Sequence, residues 1–202
     1  IKEQNPTEWT KALARVVSFK QTLHGYEDSI RFLFETPWPS DPIGRALLNF
    51  VGATAIKNYY AAYRWEVVKR EAISSENLND IRSLTVTQLF QKAGLHYPDA
   101  WKEREKLGSF PVKDFPECID RGNYPEDIRN ALRDFLTYQW TEFLSDSSMW
   151  TPKDSAETFK LPFDIWVTKD DVESVDTIDV TLQPLEQAMQ ILSDQQAWHR
   201  SM

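Results

Sequence analysis

One cysteine, Cys118, occurs in 202 residues. A single thiol excludes an intramolecular disulfide and any zinc site built from several cysteines. Glycine is sparse, at six residues, and no GxGxxG or P-loop spacing is present. That removes the common phosphate-cradling loops. The three histidines, His24, His96 and His199, lie far apart, and none sits in an i, i+4 pair or an HExxH context. Basic residues are outnumbered, with 23 Lys and Arg against 31 Asp and Glu, for a net charge of −8. Binding to DNA or RNA needs clustered cations, so a nucleic-acid partner is not expected. No apolar run reaches the ~18 residues of a membrane span. The longest, Ala46 to Ala62, is broken by Asn49, Gly52, Thr54, Lys57 and Asn58.

What remains is a core-forming composition: 41% hydrophobic, 13% aromatic, with 8 Trp, 11 Phe and 7 Tyr. Such a chain is not disordered by composition. The acidic excess is partly local, in Asp164, Asp170, Asp171, Glu173, Asp176 and Asp179. It lacks the ligand spacing and central glycine of a calcium loop and reads as a solvated connection. The chain starts at Ile1 with no charged-then-apolar leader. It therefore reads as a fragment or processed product, which is compatible with the loss of a signal peptide.

Apolar periodicity predicts helices nearly throughout. Asn5 caps a first helix starting at Pro6, with Trp9, Leu13, Val16 and Val17 inward and Gly25 as its stop. A second helix, from about Tyr26 to Glu35, places Ile30, Leu33 and Phe34 inward and ends at Pro37 and Pro39. Together they match one helical hairpin of tetratricopeptide length, ~34 residues. Such a hairpin cannot bury its own apolar face and must stack on neighbours. The third and longest helix, from Ser40 or Asp41 towards Arg70, has apolar residues on more than one face and belongs at the centre.

Residues 71–84 read as a loop. Thr85 and Gln88 form a capping-box signature for a fourth helix, kinked at Pro98 and ended by Gly108. A short helix is expected over Val112–Ile119 and a sixth from Pro125 to about Ser145. Residues 146–182 look irregular, with short helices near Ser155 and Phe163 and a weak strand pattern over Val172–Leu182. Pro184 opens a last helix through Leu185, Met189, Leu192 and Trp198. The expected fold is an all-α, irregular array of stacked antiparallel helical hairpins, tetratricopeptide-like. It is read as a single domain over 1–202, grouped as 1–70, 85–146 and 183–202.

Candidate chemistry is thin. His24 precedes the helix-ending Gly25 and suits a C-terminal cap. His96 suits packing near Pro98, and Cys118 suits a small buried residue. No serine has a nucleophile-elbow context. The Tyr59, Tyr60, Tyr63 and Trp65 cluster has two readings, core packing or a groove for a peptide or partner domain. On the second, Tyr60, Tyr63 and Arg64 are the candidate partner-binding residues. Catalytic, cofactor-binding and metal residues are expected to be none, and no small-molecule substrate is expected.

Several segments, in order, resemble one family. They are Pro6-Thr7-Glu8-Trp9, Leu23-His24-Gly25-Tyr26-Glu27, Phe32 to Pro39, Arg45-Ala46-Leu47-Leu48-Asn49 and Tyr63-Arg64-Trp65-Glu66. Trp101 to Gly108, Asn123-Tyr124-Pro125 with Leu132-Arg133-Asp134, and Ala197-Trp198-His199 continue the series. Together they resemble the N-terminal helical region of large bacterial alpha-2-macroglobulin-like proteins. The resemblance implies an exported, periplasmic or envelope protein that inhibits endopeptidases. This region would then serve as a non-enzymatic scaffold or docking module, with the parent's other domains or an envelope protein as partners. The reactive Cys–Gln thioester of some members is absent, because Ile119-Asp120-Arg121 follows Cys118. No family site residue carries over. A free-standing helical-repeat peptide-binding module is the alternative, and an all-α hydrolase built on one of the histidines is a third reading.

Overall fold

A computed structural model describes residues 5–71, 80–120, 125, 129–161 and 174–202. The fold is all-α, and among the described residues the only β feature is an isolated antiparallel bridge between Pro111 and Ala131. The chain divides into two compact units, Ile1–Arg133 and Asp134–Met202, where the sequence reading takes one domain.

The first unit opens with α1 (Pro6–Thr22) and α2 (Tyr26–Glu35). Asn5 caps α1 by accepting from the Glu8 amide at 3.2 Å. Between the helices the chain makes a Schellman turn. The Gly25 amide donates to the Lys20 carbonyl at 2.8 Å and the His24 amide to Gln21 at 2.9 Å. The left-handed residue is His24, with φ 61°, and not Gly25. Gly25 is needed for space, since an added Cβ there would lie 3.2 Å from the Lys20 carbonyl oxygen. A non-glycine residue pays about 1 kcal/mol for that φ. His24→Gly is therefore expected to stabilise the protein by about that amount in urea unfolding.

The inward rows differ from the sequence reading by a fraction of a turn. In α1 Thr10, Leu13, Ala14 and Val17 are buried, while Val16 faces out. In α2 Ile30 and Leu33 are buried with Ser29, and Phe34 is more than a third exposed.

Helix α3 (Pro42–Val67) is central: α1, α2, α4 (Val86–Gly94) and α5 (His96–Trp101) all pack on it. Asp41 caps it through the Gly44 amide at 2.6 Å. Its small residues Gly44, Ala46, Gly52, Ala53 and Ala55 are buried and let neighbours approach closely. Leu48, Ile56 and Tyr59 fill the same core. Each such side chain contributes ~1.5–3 kcal/mol of apolar burial.

The expected fourth helix is three pieces, α4, α5 and α6 (Arg104–Leu107). The capping box at Thr85 and Gln88 is present. Of the inner row expected of it, Leu89, Ala93, Tyr97, Trp101 and Leu107 are buried and Phe90 is half-buried.

Two further boundaries move for an identifiable reason. The Val112 amide donates to Asn130 at 2.7 Å and the Leu132 amide to Phe110 at 2.8 Å. This bridge holds residues 130–131 out of a helix, so α7 begins at Leu132 and not at Pro125. The expected Val112–Ile119 helix is one 3₁₀ turn, Val112–Asp114, because Phe115, which precedes Pro116, leaves the helical region with φ −128° and ψ 47°. The start expected at Glu126, Asp127 and Ile128 lies outside the described residues, as do Asp164, Asp170, Asp171, Glu173 and the helix near Phe163.

The second unit contains most of α7 (Leu132–Ser145), α8 (Pro152–Thr158) and α9 (Pro184–Ser201). Thr151 with Asp154, and Gln183 with Glu186, close capping boxes at α8 and α9. Residues 174–182 form turns, so the described part of the strand pattern is not a strand. Helix α9 turns Gln187, Ala188, Ile191, Asp194 and Gln195 inward, and Leu192 outward. Buried polar groups decide this, because each has a partner. Gln187 Nε2 donates to the Leu182 carbonyl at 2.7 Å, and Asp194 Oδ1 accepts from the Val175 amide at 3.0 Å.

Candidate functional site

The three candidate partner-binding residues sit on the C-terminal third of α3. Tyr63 breaks the helical geometry, with φ −113° and ψ 21°. Its ring meets Tyr26 edge-on at 5.9 Å and Tyr59 at 5.0 Å. Tyr59 is buried, and its hydroxyl accepts from Arg70 Nη2 at 3.0 Å. Arg70 also donates to the Leu84 carbonyl at 3.0 Å, tying the end of α3 to the segment before α4. Tyr60 and Tyr63 are half-buried and Arg64 is exposed. Desolvation, reinforced by the Glu27 carboxylate, pushes the Tyr63 hydroxyl above the usual tyrosine pKa. Tyr63 is therefore a neutral donor at physiological pH.

Trp65 is the residue the candidate set leaves out. It is 82% exposed, with Val68 exposed beside it. The signal is in the spacing. Ile56, Tyr59, Tyr63 and Val67 form one row at steps of three and four, and two residues from that row faces the other way.

Near this end of α3, a groove of about 880 Å³ is lined by Ile30, Phe34, Ile81, Glu27, Arg82 and Lys92, among others. Its rim is charged in both signs. Arg31 pairs with Asp28, and Arg82 pairs with Asp80 at 3.1 Å. The Arg82 hydrogen bonds hold the Asp80 carboxyl below the usual carboxylate range. His24 also lines this groove, at its Schellman turn.

The other titratable candidates are embedded in packing. His96 Nδ1 lies 2.9 Å from Asn49 Oδ1, and its ring stacks on Phe34 at 4.9 Å and 13°. Burial, with Lys92 adding, lowers its pKa to about 4. The ring is thus neutral, and Nδ1–H donates to Asn49. Asn49 in turn donates to the Arg45 carbonyl at 3.1 Å. His96 ties α2, α3 and α5 together.

Cys118 is buried, and burial, then Glu117, pushes its thiol up to about 12. It holds no appreciable thiolate and is a poor nucleophile. Reaction with a thiol reagent is expected to be more than about a hundredfold slower in the native protein than in urea.

In the second unit, the buried Asp134 carboxylate collects donors. Gln195 Nε2 reaches Oδ1 at 2.6 Å and His199 Nε2 at 2.7 Å. Gln195 Oε1 accepts from Thr137 at 3.1 Å. A carboxylate held by an amide and an imidazole staples α7 to α9. Of the three histidines, only His199 meets a carboxylate across helices.

Among the described residues, no group of three His, Cys, Asp or Glu side chains is arranged to hold a metal ion. No described helix is long and apolar enough to cross a membrane. No family model matches the chain, and neither a curated protein nor a solved structure matches it.

Proposed function

We propose that this chain is a non-enzymatic docking or scaffold module of a large exported bacterial alpha-2-macroglobulin-like endopeptidase inhibitor, acting in the periplasm or envelope. The parent is read from the order of residues from Pro6 to His199 described above. Docking is supported by one observation, the exposure of Trp65, with the exposed Arg64 next to it in the chain. A tryptophan standing in water at the end of the central helix is the residue type that anchors partner interfaces. The partner is another domain of the parent or an envelope protein.

The downstream coding sequence is expected to specify macroglobulin-type β domains. Those domains, purified, are expected to bind this chain. Trp65→Ala should weaken that binding at least tenfold, with unchanged far-UV circular dichroism. Equal binding by the variant removes this surface. A coding sequence without such domains removes the parent.

A free-standing peptide-binding module is the second reading. The groove beside α2 favours it, since an apolar floor of Ile30, Phe34 and Ile81 under a mixed-charge rim suits an extended or helical segment.

A further inference from the structure

The groove beside α2 shares a wall with the His96 ring. Phe34 lines that groove and is held by three contacts. Its ring stacks on His96 at 4.9 Å and 13° and lies 5.9 Å from the Trp38 ring. It also closes on Gly52, where an added Cβ would stand 2.9 Å from Phe34 Cζ. Of these three neighbours only His96 titrates. Lys92, four residues before His96 in the chain, lines the same groove. The imidazole thus touches one groove residue and feels the charge of a second.

The neutral ring suits this place and the charged ring does not. Nδ1–H donates to Asn49 Oδ1 at 2.9 Å, and Phe34 covers one face. Ionisation adds a proton on Nε2, and among the described residues nothing accepts from it. A charge taken out of water without partners is costly. Burial and then Lys92, on α4, hold the pKa at about 4, against the pull of Asp99 on the ring's own helix. Helices α2 and α3 present the ring with Phe34 and Asn49, both uncharged.

We infer that His96 is an acid-operated release for the groove: its protonation turns the imidazole towards water and frees the stacked face of Phe34. Two properties of the groove then change together. Its apolar wall loses the plate that fixes Phe34, and an imidazolium near Lys92 makes that side more positive. Binding of any segment seated on Phe34 becomes pH-dependent. Use as a gate rests on the peptide-binding reading of the groove, while the ring movement does not. A released imidazole has the ordinary pKa of 6.5, so going from pH 7 to pH 4.5 raises the ratio of released to stacked ring roughly sixtyfold.

Hydroxyl-radical footprinting of the 202-residue chain at pH 7 and pH 4.5 tests this, with Phe34 oxidation read against the exposed Phe19 in the same sample. Phe34 starts at 37% exposure, so its relative oxidation is expected roughly to double in acid, with far-UV circular dichroism unchanged. His96→Gln keeps a donor for Asn49 and has no titrating ring, so its Phe34 oxidation should be equal at the two pH values. Lys92→Gln removes a charge that disfavours the imidazolium and should move the midpoint of the rise to higher pH. No partner enters these measurements, so they stand whether or not the groove docks a peptide. No rise in the wild type, or an equal rise in His96→Gln, overturns the inference. So does a midpoint that Lys92→Gln leaves in place or lowers, which assigns the rise to another group. A rise that coincides with loss of the far-UV signal also overturns it, because the chain then unfolds as a whole.

Discussion

Between pH 6.5 and pH 4 the native state is expected to lose about 2–3 kcal/mol through His96 alone. The folded imidazole titrates at about 4, against 6.5 for an ordinary one, because burial and then Lys92 disfavour its charge while Asp99 opposes them only weakly. Within that window the unfolded chain binds a proton that the native state does not, so unfolding is favoured as pH falls. Above the window the contribution is complete, and below it no further loss occurs. The full 2.5-unit gap converts to roughly 3.4 kcal/mol. The edge of the ring that remains near water reduces this.

The measurement is the urea midpoint at pH 7 and pH 4.5 for the wild type and for His96→Gln. Glutamine keeps a donor for Asn49 but does not titrate in this range. The wild type should lose more stability on acidification than the variant, by most of that 2–3 kcal/mol. Parallel losses would show that the neutral imidazole is not what holds α2, α3 and α5 together.

Gly44→Ala is the second large effect, and its sign separates packing from propensity. Helix propensity alone predicts a gain of up to about 1 kcal/mol. An added Cβ, however, would lie 2.4 Å from Thr10 Oγ1 and 3.2 Å from both Asp41 Oδ2 and Pro39 Cγ. Thr10 is fully buried, and its hydroxyl is fixed on the Pro6 carbonyl at 2.9 Å. Neither it nor the capping carboxylate can withdraw cheaply. Overpacking of this kind costs ~1–3 kcal/mol, so a net loss of about 2 kcal/mol is expected.

The comparison with Gly52→Ala sharpens this. There the nearest atom is Phe34 Cζ, at 2.9 Å, the far end of a side chain that is more than a third exposed. Its cost should be smaller. In a Thr10→Ala background Gly44→Ala should lose most of its penalty, a coupling that thermal or urea unfolding of the four variants measures. An additive cycle would contradict the close α1–α3 crossing.

Helix existence was legible in this chain because capping signals and apolar periodicity agree. Asn5, Asp41, Thr85 with Gln88, and Pro184 all stand at real helix starts. Facing was less legible. Val16 and Phe34 are apolar and at plausible spacing, yet each lies beside the buried row and not in it. In α9, Gln187, Asp194 and Gln195 are buried with hydrogen-bond partners that apolar periodicity does not announce.

Boundaries failed where tertiary pairing intervened, as at the Pro111–Ala131 bridge. The Schellman turn was legible as a turn, but the left-handed position fell one residue earlier than the glycine suggested. Of the candidate site, Tyr59, Tyr60, Tyr63 and Trp65 were readable as an aromatic cluster with Arg64 beside it. That Trp65 is its most exposed member was readable only once the buried row of α3 was known.

Docking through the end of α3 is tested most directly by a photo-cross-linking residue placed at position 65 and, as a control, at the exposed Lys113. Each variant is mixed with the neighbouring domains of the proposed parent and irradiated. Adducts from position 65 are expected to exceed those from position 113 at least tenfold and to map to one surface of one partner. Equal yields from the two positions, or none from either with both variants folded, would contradict the assignment of this face as the docking site.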